Sequence, residues 1–328
     1  MKRILLLSTG DVIEAAAGSQ RQTPALNGEE LLKNLRALSM LCRADIREVM
    51  NIDSTNMQPE EWRQLAQNIH MELDDYDGFV ISHGADTMAY TAAALSYMLR
   101  GLDKPLILTC SQLSLMEAYS EGSGNIYDAF TVACQNQPGV YVVYAGKIIR
   151  GCRAVKVRTA GTEAFLSVNA PLAGTITENR VDWYLPLPLP DQPRSLATHC
   201  QSKVLLLKLA PGLEADLVEA AIAMGYRGIV VEGYGAGNVT YARRDIGAAL
   251  AKAMQRGIAV AITGQCLMGD SGMTLCEPSP SMSMAGVIPC FDMTTEALYV
   301  KMCWALGKTA DMAELRMIMA QNIAGELE

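Results

Sequence analysis

Short runs of nearly unbroken apolar side chains, each ending in a polar or glycine turn and followed by helical spacing, leave few architectures open to this chain. The runs span Arg3 to Ser8, Gly78 to Ser82, Pro105 to Thr109 and Gly139 to Tyr144. A strand sends successive side chains to opposite faces, so a continuous apolar run must be covered on both. Parallel βαβ units meet that requirement. The intervening segments fit helices: Asn27 precedes Gly28-Glu29-Glu30-Leu31-Leu32, and Thr87 precedes Met88 to Leu99 with spacing suited to a packed face. The expected class is α/β, with a doubly wound, mostly parallel sheet in the N-terminal domain. Ligands of such sheets lie beyond the carboxyl ends of the strands, where the loops after Ser8 and Ser82 fall.

The pattern lapses between Pro171 and His199, through Thr-Glu-Asn and the Pro-Leu-Pro-Leu-Pro run at 185–189, and resumes with a strand at 203–209. A helix at 214–224, a strand at 228–232, a helix at 243–255, a strand at 258–263 and a helical region after Thr294 follow. A length of 328 residues accommodates two cores. The expected organisation is an N-terminal domain at 1–180, a linker at 181–202 whose prolines favour an extended path, and a smaller α/β domain at 203–328.

The net charge of −8, without a basic stripe, argues against a nucleic-acid partner. The N-terminal apolar run, Ile4 to Leu7, is too short for a signal-peptide core, and no segment approaches the ~20 apolar residues of a membrane span. A cytoplasmic protein without a membrane partner is expected. Nine scattered cysteines with no C-x-x-C, and histidines as far apart as His70, His83 and His199, point to buried thiols. No metal and no cofactor is expected.

Polar and glycine residues follow the apolar runs in places where chemistry is feasible. Ser8-Thr9-Gly10-Asp11-Val12-Ile13-Glu14 takes a strand into a turn whose backbone N–H groups can face an anion; a tight strand-to-loop turn is the plainer reading. Ser82-His83-Gly84-Ala85-Asp86-Thr87 repeats that grammar, and Asp86 is a helix cap or the partner of a ligand ammonium. Lys156 follows an edge-like strand in Arg150 to Lys156 and otherwise reads as a solvated lysine. Asn51-Ile52-Asp53-Ser54-Thr55-Asn56 is a polar loop cluster, otherwise turn chemistry alone.

In this order and spacing these segments resemble the bacterial cytosolic type of L-asparaginase. The similarity extends through Cys110 to Leu113, Tyr234-Gly235-Ala236-Gly237-Asn238, Gln265-Cys266, Ala285 to Ile288 and Asp292 to Ala297. The resemblance implies a site that holds the α-carboxylate and α-ammonium of an aspartate-like amino acid with Asp53, Ser54 and Asp86. It also implies that Asn238 is lent by a neighbouring subunit, and hence a homodimer or homotetramer. Members of the family attack the amide with a threonine aided by a tyrosine, and use a second threonine backed by a lysine. Carried over, the lysine is Lys156, while the two threonines and the tyrosine fall on Val12, Ala85 and Gln22.

Recognition residues are thus present where the usual hydroxyls are not. Asp11 and Glu14 stand where the family has a glycine and a small residue. They are candidates to pair with a cationic substrate tail, and Glu14 is a candidate general base with Lys156 as its partner; both otherwise read as surface acids. With Lys156, Asp86, Glu14 and Asp11 as the candidate catalytic set, three functions follow. The expected one is a divergent amidohydrolase acting on an asparagine- or aspartate-like amino acid or derivative. A silent amino-acid binder or regulator, and a proton-transfer enzyme using Glu14 and Lys156, are the alternatives.

Overall fold

The computed structural model describes residues 1–10, 38–111, 122–270 and 286–328. The chain forms two compact units, Met1–Thr198 and His199–Glu328. In the first lie β1 (Arg3–Ser8), β2 (Arg43–Glu48), β3 (Gly78–Ser82), β4 (Leu99–Arg100), β5 (Pro105–Thr109), β6 (Gly139–Tyr144), β7 (Lys147–Arg150), β8 (Ala154–Lys156), β9 (Phe165–Ser167), β10 (Gly174–Thr177), β11 (Arg180–Trp183) and β12 (Ser195–Leu196). Its large sheet is ordered β11-β10-β7-β6-β5-β3-β1-β2. The pairs from β2 to β6 are parallel, as the expected α/β class requires, and the far side is extended by antiparallel pairs.

The strands read as apolar runs are the interior ones, and β3 and β5 are buried at every position. Strand β2, Arg-Ala-Asp-Ile-Arg-Glu, carries no such run because it closes the sheet edge, where its side chains stay partly exposed and Asp45 and Arg47 pair with Arg3 and Glu72. The helix Met88–Met98 is buried at every position except Tyr90, rather than on one face. Within 181–202, β11 completes a hairpin through Glu178 and Asn179, both at positive φ, and β12 pairs with β4. The expected helix at 28–32 lies outside the described residues.

The second unit holds a parallel sheet ordered β13 (Val204–Lys208), β14 (Gly228–Gly233) and β15 (Ala259–Gly264). Helices Asp216–Ala223, Ile246–Gln255, Thr295–Lys308 and Met312–Ala320 accompany it. Side-chain caps fix three helix starts: Asp245 accepts from Ala248 N, Thr294 from Ala297 N, and Asp311 from Ala313 N and Glu314 N. No helix among the described residues is long and apolar enough to cross a membrane. Cys42, Cys110, Cys152, Cys290 and Cys303 are buried as expected, Cys134 and Cys200 are half-buried, and Cys266 is exposed.

One acid of the first unit carries a pH signature. Burial on the helix Gly122–Ala133 pushes the Asp128 carboxyl up to about 6. The folded protein therefore binds a proton that the unfolded chain releases near pH 4, and stability falls as pH rises from there through 6. Asp128→Asn removes that loss. After allowance for solvent screening of a half-buried group, it is expected to raise Tm by ~2–4 °C at about pH 7 and by nothing near pH 4. Equal shifts at the two pH values in a thermal melt would assign the effect to packing instead.

Candidate functional site

The order of the large sheet places a switch point beside β1. The chain crosses from β1 to β2 on one side and then to β3 on the other, so the loops leaving β1 and β3 part at their carboxyl ends. Ser8 and Ser82 stand in register there, Thr9 N and Oγ1 both donate to Ser82 O at 3.2 and 2.9 Å, and His83 N donates to Thr109 O at 3.0 Å. Gly10, at φ +88°, is approached so closely by Asn51 and Ile52 that a Cβ would lie 2.7 Å from Asn51 Oδ1. Glycine at this position is what lets the polar loop after β2 close onto the end of β1. Ile52 N completes the closure by donating to Thr9 O at 3.0 Å.

That loop holds Asp53 and Ser54. Asp53 caps the short 3-10 turn Ser54–Asn56, its Oδ1 accepting from Thr55 N at 2.8 Å and from Thr55 Oγ1 at 2.7 Å. Ser54 is buried directly behind it. The loop after β3 is tied to the same place. Thr87 occupies the N-cap position of Met88–Met98 without a side-chain cap, and its hydroxyl donates to Ser54 O at 2.7 Å. The helix-cap reading of Asp86 is therefore corrected: Thr87 takes the N-cap position, and the geometry spends its hydroxyl on joining two loops. Thr87 is the site residue that sequence reasoning passed over, because a threonine before a helix has an adequate local explanation. Behind both loops, Trp62 Nε1 donates to Thr91 Oγ1 at 3.1 Å and joins the helices that follow them.

Asp86 is half-exposed, and Lys156 Nζ donates to its Oδ1 at 2.6 Å. Lys156 ends β8, which pairs with β9. The preceding turn, Gly151–Arg153, fits against the helix Met88–Met98 so tightly that a Cβ on Gly151 would meet Ser96 Oγ at 2.9 Å. Arg153 is fully buried in this turn and its carbonyl accepts from Val168 N at 2.9 Å. Of the expected site residues, Asp53, Ser54, Asp86 and Lys156 thus belong to one connected set of loops. Ala85 lies between His83-Gly84 and Asp86 and offers a methyl group. Asp11, Val12, Glu14 and Gln22 lie outside the described residues.

Asn238 belongs to the second unit. Tyr234 N donates to Asn238 O and Asn238 N to Tyr234 O, both at 2.8 Å, closing a tight bridge around Gly235 and Gly237, which have φ of +54° and +118°. A Cβ on Gly264 would overlap Gly235 O, so β15 supports this turn through bare backbone. Asn238 is exposed on it. At the same strand ends, Gln265 Nε2 donates to Leu209 O at 2.6 Å and Glu232 O at 3.0 Å, while Glu232 accepts from Thr295 Oγ1 at 2.7 Å.

Comparison with known proteins places these features in a family. Residues 3–189 match the model of the N-terminal domain of asparaginase, and residues 203–319 match that of the glutaminase/asparaginase C-terminal domain. An L-asparaginase of Thermococcus kodakarensis is 36% identical over 99% of both chains. One of the subunits of the glutamyl-tRNA(Gln) amidotransferase from the same organism is 34% identical over 99% of this chain and 76% of its own length. Among solved structures, the thermostable T. kodakarensis L-asparaginase superposes with a TM-score of 0.94 at 35% identity, covering 99% of both chains. L-asparaginase I of Vibrio cholerae does so with a TM-score of 0.88 at 29% identity, covering 100% of this chain and 99% of its own. Both domain models match in order and the T. kodakarensis L-asparaginase aligns over 99% of both chains: the chain belongs to the asparaginase family.

Proposed function

We propose that this protein recognises an asparagine- or aspartate-like amino acid, or a derivative of one, and acts on it as a divergent amidohydrolase whose chemistry does not pass through hydroxyls at positions 12 and 85. The observation that carries the reading is the Lys156–Asp86 contact of 2.6 Å beside the Ser54 loop. It sets a carboxylate for a ligand ammonium next to a cation, on loops joined at the sheet's switch point. The names asparaginase and amidotransferase, carried by the relatives, both denote work on a carboxamide. A homodimer or homotetramer is part of the proposal, with Asn238 contributed by a neighbouring copy, and so are catalytic roles for Lys156, Asp86, Glu14 and Asp11.

The same contact favours a second reading. With a methyl at Ala85, Lys156 sits, among the described residues, against a carboxylate and not against a hydroxyl it could activate, which suits a silent binder. Thermal-shift titration with a panel of α-amino acids and their amides, paired with coupled ammonia detection, separates the readings. Binding is expected to raise Tm, because a ligand of the folded state stabilises it. Ammonia release from asparagine and glutamine is expected to fall below the range usual for enzymes, about 1–1000 s⁻¹. Release within that range would sink the altered-machinery reading, binding without turnover of any amide would favour the silent one, and no ligand at all would sink recognition.

A further inference from the structure

Two cysteines meet at the edge of the large sheet opposite the candidate site. Cys42 immediately precedes β2 and Cys134 immediately follows the helix Gly122–Ala133. Each is held by its backbone: Cys42 N donates to Leu38 O at 2.9 Å and Cys134 N to Phe130 O at 3.0 Å. Both pack against the same hydrophobic cluster, Cys42 within it and Cys134 on its half-buried flank. Lys2 spans the pair: its carbonyl accepts from Arg43 N at 2.8 Å, and its ammonium donates to Asn136 Oδ1. The two thiols lie close enough for each to act on the other's ionisation.

We propose that Cys42 and Cys134 are a redox modification site that closes to a disulfide by exchange with a low-molecular-weight disulfide such as oxidised glutathione. Accessibility assigns the roles, Cys134 being half-buried and Cys42 buried. The hydrogen bond to Cys134 and then burial push the Cys42 thiol up, so it keeps its proton. The Cys134 thiol is lowered, first by the hydrogen bond from Cys42 and then by the Lys2 ammonium, against burial and the Asp77 carboxylate. Cys134, the more accessible of the two, is the attacking thiolate. Its sulfur bonds to one sulfur of oxidised glutathione and expels the other half as a thiolate. Cys42 then gives up its proton and attacks the Cys134 sulfur, expelling the second half. In sum, two protein thiols are oxidised to one disulfide and one molecule of oxidised glutathione is reduced to two of glutathione.

The bridge ties the start of an edge strand to a helix end, at the amino ends of strands whose carboxyl ends carry the candidate site. It therefore stiffens the scaffold without covering the site. The test incubates the intact protein in buffered mixtures of oxidised and reduced glutathione, quenches with acid, alkylates the remaining thiols and maps peptides by mass spectrometry. A peptide joining Cys42 to Cys134 is expected, reversed by reduced glutathione, with a rise in Tm of roughly 5 °C or more from the long loop closed. Cys42→Ser is expected to hold glutathione on Cys134, and Cys134→Ser to show neither product. The wild-type map stands even if a variant fails to fold. Absence of the joined peptide at every ratio, or a lasting glutathione adduct at Cys134 in the wild type equal to that in Cys42→Ser, would overturn the proposal.

Discussion

Asp86→Ala is expected to lower affinity for the amino-acid ligand by ~100-fold or more while leaving the protein folded. Truncating one member of a charge-assisted pair that a ligand desolvates typically costs ~2–5 kcal/mol. The ligand's ammonium would lose the carboxylate that faces it, and Lys156 would be left as an uncompensated cation repelling that same group. Stability should suffer little. Asp86 does not cap the helix beside it, and a half-exposed ion pair contributes about 0–1 kcal/mol. Isothermal titration on the wild type, Asp86→Ala and Asp86→Asn, with circular dichroism as a folding check, decides the matter. A folded alanine variant that binds as tightly as the wild type would remove Asp86 from the recognition site, and an unfolded one would make it structural.

The largest expected effect on stability lies in the second unit. Lys301 Nζ and Glu326 Oε1 are 2.6 Å apart and both side chains are wholly buried. Lys301 also donates to Met319 O at 3.0 Å and Gln321 O at 2.6 Å, and the Glu326 carboxylate accepts from Ile323 N and Ala324 N at 3.0 and 2.7 Å. The pair thereby satisfies the carboxyl end of the last helix and folds the tail back on itself. Lys301→Met strands a buried carboxylate and is expected to cost ~3–5 kcal/mol, seen as a fall of about 10 °C in the melting of this unit. Lys301→Met with Glu326→Leu removes both charges and should recover a large part of the loss. Strictly additive effects in that double-mutant cycle would show that the pair is not coupled.

How much of this was legible in the sequence depended on how many faces of each element are buried. The interior strands β1, β3, β5 and β6 were visible because covering on both sides leaves an apolar run. The edge strand β2 and the hairpin of β10 and β11 were not, since their polar positions interrupt any apolar run and the hairpin is fixed by the positive φ of Glu178 and Asn179. The loops holding Asp53, Ser54 and Asp86 could be placed because their strands could be. What joins them, the Thr87 hydroxyl on Ser54 O, depends on a contact between residues 33 positions apart and leaves no local signature. The approach of Cys42 to Cys134 was illegible for the same reason, and the scattered cysteines read as buried thiols when taken singly.

The Thr87 bond bears on how quickly a ligand can be captured. With Ser54 and the Asp86 loop fastened together, and with the Ser54 loop fastened in turn to β1 through Ile52 N and Thr9 O, the groups proposed to recognise the ligand would not have to be gathered at the moment of encounter. Ordering cost is met during folding instead of during association. On the proposed reading, groups fixed in advance give a capture rate set by diffusion and orientation, so ligands differing only in their tails should enter at similar speeds and be distinguished by how long they stay.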